Sequence, residues 1–87
     1  MKTLIENTIH PQGMGTPHNI TIFNTDDPKK PRYYNIARLS GRILWIKYHY
    51  ELDNIVYTDG FLLVDIPQGL DENGVKQHII DQINNVL

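Results

Sequence analysis

The chain of 87 residues has no cysteine. A small secreted domain ordinarily offsets a thin core with disulfides, so the expected compartment is a reducing one, the cytoplasm. Long apolar runs are also missing. The longest, such as 43–46 and 61–64, hold four residues, against the roughly 20 needed to cross a bilayer. Residues 1–8 lack the apolar stretch of a signal peptide and carry Glu6, so no leader and no membrane partner are expected.

Reactive side chains are scarce too. Ser40 is the only serine and precedes Gly41, where a turn needs a small polar residue. The histidines are His10, His18, His49 and His78. None falls in a metal-ligand pattern such as H-E-x-x-H. His10 and His18 flank a Gly/Pro loop and are the two the sequence brings nearest. Gly13-Met14-Gly15 lacks the rest of a dinucleotide fingerprint, and no Gly-Lys-Ser/Thr phosphate loop occurs. The acidic pairs Asp26-Asp27 and Asp71-Glu72 lack the alternating ligands of a calcium loop. No catalytic, cofactor or metal residue is therefore assigned, and the chain reads as a non-enzyme.

What is present fits one domain over residues 1–87, since a second core would not fit. Residues 1–18 read as an irregular arm broken by Pro11, Gly13, Gly15 and Pro17. Residues 19–24 (Asn-Ile-Thr-Ile-Phe-Asn) read as a strand, and 25–31, with two prolines, as a polar loop. Residues 32–39 are a strand candidate, with Ser40-Gly41 as a hairpin turn. Residues 42–50 form the clearest strand. A turn at 51–54 follows, then 55–58 and 61–66 flank Asp59-Gly60, a type I′ hairpin signal. From residue 71 the period changes. Val75, Ile79, Ile80, Ile83, Val86 and Leu87 lie on one helical face, and Asp71 is a fitting N-cap. The expected fold class is α+β: an antiparallel β-sheet meander of four to five strands over 19–66, with one C-terminal α-helix over 71–87 packed on one face, a two-layer sandwich.

Strand residues alternate sides. Leu44, Ile46, Tyr48 and Tyr50, with Leu62, Val64 and Ile66, form the face expected under the helix. The opposite face holds Ile43, Trp45, Lys47 and His49, with Phe61, Leu63 and Asp65. That face is too apolar for solvent. Ile43, Trp45, Lys47, His49, Phe61 and Leu63 are therefore the candidate protein-binding residues. Three covers stay open: the N-terminal arm through Leu4, Ile5 and Ile9, a second copy in a homodimer or higher oligomer, or a foreign protein.

Charge is segregated along the chain. Lys29, Lys30, Arg32, Arg38, Arg42 and Lys47 fall between 29 and 47, and no acid occurs from 28 to 50. Residues 51–87 hold seven acids and one lysine. Cations interleaved with aromatic rings are what a single-strand nucleic-acid binder needs. Arg32, Tyr33, Tyr34, Arg38, Arg42 and Lys47 are the candidates for that alternative. A net charge of −2 and a pI near 6.0 oppose it, because dedicated binders are generally basic. A small enzyme of unassigned reaction is the third reading. Twelve isoleucines and eight asparagines against one alanine, Ala37, match an AT-rich coding bias. The leading expectation is a small protein-binding module, of the kind that viruses and mobile elements use to inhibit a larger host protein, acting through the apolar face or an edge strand.

Overall fold

The structure is a computed structural model that describes residues 1–5, 8–11, 18–24 and 35–87. Its elements are β1 (Thr3–Leu4), β2 (Ile9–His10), β3 (Ile20–Asn24), a 3-10 turn (Ile36–Leu39), β4 (Ile43–Leu52), β5 (Ile55–Asp65) and α1 (Glu72–Val86). All five strands join one sheet around β4. One edge of β4 pairs with β5 along its whole length. The other is shared: β3 takes 44–48 and β1 takes 50–51, both antiparallel. β2 lies outside β3 and runs parallel to it.

The sheet is thus mixed and curled, not the antiparallel meander expected. The difference comes from the arm. Its two short strands are too brief to show period-two alternation, and both are set by pairing with distant residues.

Two further local expectations give way. Residues 36–39 form a 3-10 turn in place of a strand. The Asn35 side chain accepts from the Ala37 N–H at 2.9 Å, and Ile36 and Leu39, three apart, turn inward and are buried. Three-residue spacing is helical, not extended. Residues 32–34 lie outside the described residues. Ser40-Gly41 ends that turn and does not join two strands. The Ser40 hydroxyl donates to the Pro67 carbonyl and accepts from the Leu70 N–H, both at 3.0 Å, tying the turn to the entry of α1.

Asp59-Gly60 is not a hairpin turn either. β5 runs unbroken from Ile55 to Asp65, and the chain reverses at Asp53-Asn54. Both residues have positive φ, 53° and 66°, the backbone of a type I′ turn. Register supplies the reason. Tyr48 faces Gly60 and Tyr50 faces Tyr57, so two residues of β5 oppose His49 alone, which is a bulge. Gly60 serves packing: a Cβ there would lie 2.3 Å from the Tyr48 ring.

The inner face is as expected for Leu44, Ile46, Tyr48, Val64 and Ile66, all buried. They join Ile20 and Ile22 of β3, Ile36 and Leu39 of the 3-10 turn, and Val75, Ile79 and Ile83 of α1 in one core. Burying each such side chain is worth ~1.5–3 kcal/mol. Asp71 caps α1 as expected, its Oδ1 accepting from the Gly74 N–H at 2.7 Å. Val86, assigned to the buried helical face, is instead 57% exposed, while its neighbour Leu87 packs against the core. Among the described residues, no helix is long and apolar enough to cross a membrane.

Candidate functional site: the outer face and the edge of the sheet

β4 holds the centre of the sheet, so its outward side chains occupy the middle of the convex face. Trp45 sits between Phe23 of β3 and Leu63 of β5 in register, and Lys47 between Thr21 and Phe61. The Trp45 and Phe61 rings stack, with centroids 4.8 Å apart and planes at 12°. Phe23 meets Phe61 at 6.3 Å and 55°. Ile43 is 50% exposed, Trp45 39%, Phe61 52% and Leu63 51%.

The structure therefore gathers five of the six sequence-assigned residues, Ile43, Trp45, Lys47, Phe61 and Leu63, on one open surface. It adds Phe23, which the sequence reading passed over. The signal was present: in Ile20-Thr21-Ile22-Phe23 the isoleucines alternate inward, which sends Phe23 out with Thr21. The N-terminal arm is not the cover for Trp45 in the described residues. Leu4 and Ile9 pack against the core on the helix side instead.

His49, the sixth assigned residue, has a structural task. Its N–H donates to the Asn19 carbonyl at 3.0 Å, and its carbonyl accepts from the Ile5 N–H at 3.1 Å. It thus marks the point where the neighbour of β4 changes from β3 to β1. Its ring Nδ1 lies 3.0 Å from Asn19 Oδ1, a hydrogen bond in the tautomer that carries the proton there.

β5 is the sheet's outer strand. The Ile66 N–H donates to the Arg42 carbonyl, which fixes the phase of antiparallel bonding: even-numbered residues from Ile66 back to Gly60 bond to β4. The N–H and C=O groups of Phe61 and Leu63 therefore point away from the sheet. Among the described residues no backbone group meets them. The free stretch ends at Asp65, whose carbonyl accepts from His78 Nε2 of α1 at 3.0 Å. At the other end lies the bulge at residues 58–59.

Around the bulge, on the inner side, stand three tyrosines, Tyr48 before it and Tyr50 and Tyr57 beyond it. Tyr50 and Tyr57 stack at 5.2 Å and 12°, and Tyr48 tilts against Tyr50 at 6.1 Å. The Lys2 ammonium lies 5.1 Å from the centre of the Tyr50 ring. The hydrogen bond to Asp59, with burial behind it, holds the Tyr50 phenol above the ordinary tyrosine range. Burial pushes Tyr48 up, and the Asp59 charge adds to it.

Of the residues named for nucleic acid, the three described ones sit on separate elements. Arg32, Tyr33 and Tyr34 lie outside the described residues. Arg38 is on the 3-10 turn, Arg42 precedes β4, and Lys47 stands among the apolar side chains of the outer face. His10 and His18 do meet, their rings stacked at 4.4 Å and 14°. Among the described residues no group of three or more His, Cys, Asp or Glu gathers as a metal would require. Comparisons with protein-family models, curated proteins and solved structures gave no match to this chain.

Proposed function

We propose that the chain is a non-enzymatic protein-binding module, acting in the cytoplasm through the outer face of its sheet. The observation that carries this reading is the exposed Trp45–Phe61 stack, with half-buried Phe23 beside it and exposed Ile43 and Leu63 flanking it. Four large apolar side chains at about half exposure leave on the order of 400 Å² of contiguous apolar surface. A patch of that size falls within the range, roughly 300–600 Å², of the largest apolar patch on a monomer, which is often its functional surface. Large aromatic side chains are also those that dominate binding energy at protein interfaces.

The test is Trp45→Ala in the full chain, with folding checked by circular dichroism. Molar mass in solution and proteins captured from a nuclease-treated lysate are measured beside the unsubstituted chain. The variant is expected to fold and to lose self-association or capture by tenfold or more. A folded variant that keeps both overturns the assignment. Binding that disappears with nuclease, or falls steeply with salt, would move the function to nucleic acid.

A further inference from the structure

We infer that the free edge of β5 is a docking strand for an extended peptide segment with apolar residues at alternate positions and basic residues at its ends. The inference rests on the protein-binding reading above and names the partner's chemistry. Three observations carry it.

The first is backbone chemistry. Phe61 and Leu63 turn their N–H and C=O groups outward with no partner among the described residues. Water satisfies such a row at an exposed edge, and another extended backbone can take its place by strand addition. The second is area. The apolar face, on the order of 400 Å², is about half of what one side of a standard interface buries. An occupant of the face alone falls short, whereas one that also pairs with the edge gains main-chain hydrogen bonds.

The third is charge. The same residues that present the free groups carry the apolar side chains Phe61 and Leu63, and acids bracket them, Asp59 at the bulge and Asp65 at the His78 contact. Residues 43–65 hold Glu51, Asp53, Asp59 and Asp65 against the single cation Lys47. This pattern disfavours a second copy. In the antiparallel register that sets Phe61 against a second copy's Leu63, Asp59 lies across from its Asp65, twice by symmetry, and in the registers centred on Phe61 or Leu63 the copy still brings the same acids to an edge that already carries them. Like charges facing each other destabilise strand pairs. A foreign strand with lysine or arginine at both ends meets Asp65 at one end and, at the other, the Asp59 carboxylate that also accepts from the Tyr50 phenol.

The test titrates the full chain with capped heptapeptides up to millimolar concentration, read by amide shifts of Phe61 and Leu63. Lys-Thr-Val-Thr-Val-Thr-Lys spans residues 59–65 of β5. It is compared with a Glu-ended analogue and with a form N-methylated at both valines. The Lys-ended peptide is expected to bind with shifts confined to β5. The Glu-ended form should bind about tenfold more weakly, and Asp65→Lys in the protein should cost the Lys-ended peptide about threefold. N-methylation should abolish binding. Asp65→Lys leaves the fold intact, because His78 holds the Asp65 carbonyl and not its side chain. Equal binding of both peptides, no shift at millimolar Lys-ended peptide, or dimerisation through β5 overturns the inference. If Trp45→Ala still abolishes capture in that case, the face reading stands without it. If the peptide binds while Trp45→Ala changes nothing, the edge stands and the face reading fails.

Discussion

Leu44 and Ile46 are fully buried, while Ile43 and Trp45, their neighbours on the same strand, are 50% and 39% exposed. The two faces of β4 and β5 carry similar apolar residues but meet different surroundings. α1 and the 3-10 turn lie against the inner face, and no described element lies against the outer one. Apolarity placed side chains on both faces; the single helix decided which set became a core. The inner face therefore tells of stability, and the outer one carries the proposed association. A substitution on one should leave the other's property largely intact.

The sharpest test is Ile46→Ala. It deletes a fully buried side chain, and a cost of ~2–5 kcal/mol is expected, read as a lower urea midpoint with partner capture unchanged wherever the chain stays folded. Gly60→Ala comes next. A methyl group there meets the Tyr48 ring, and forced overpacking costs ~1–3 kcal/mol. The loss should be visible in thermal melts, and Tyr48→Ala should relieve part of it in a double-mutant cycle. Trp45→Ala removes the Phe61 stack, worth ~0.5–1.5 kcal/mol beyond area. It should shift stability less than Ile46→Ala and association far more; a stability loss equal to that of Ile46→Ala would erase the distinction between the faces.

The smallest effect is one of pH. The hydrogen bond to Asp59 favours the neutral Tyr50 phenol. As the pH rises past the ordinary value of 10.0, the unfolded chain therefore gives up this proton first. The stability contribution is fully present below that value and is lost as pH rises through the folded one. Asp59→Asn should move the Tyr50 ultraviolet titration downward, and an unmoved titration would remove Asp59 from the cause.

Much of this was legible in the sequence because it is periodic. The alternation in 42–50 and the four-residue spacing of Val75, Ile79 and Ile83 assign faces without any knowledge of neighbours. The exposed patch followed from the same alternation, and Phe23 lay within its reach. The errors have a different physical origin. Asp59-Gly60 has turn chemistry, but Gly60 is needed for the Tyr48 ring, while the turn falls at Asp53-Asn54, where two polar residues accept positive φ. β1 and β2, of two residues each, have no periodicity to detect. The free edge of β5 is a property of strand order, which pairs residues far apart in the chain and leaves no local mark.

The tight reversal at Asp53-Asn54 bears on the order in which the fold assembles. It makes β4 and β5 neighbours in sequence as well as in space, so their pairing closes only a minimal loop. Pairing β1 with β4 brings Thr3 to Glu51, across more than half the chain, and long closures form late. The hairpin is thus expected to form first, with its outer strand displayed before the rest of the sheet has gathered. A partner that adds to β5 would find its template on a chain still folding, and its presence would speed completion of the fold as well as depend on it.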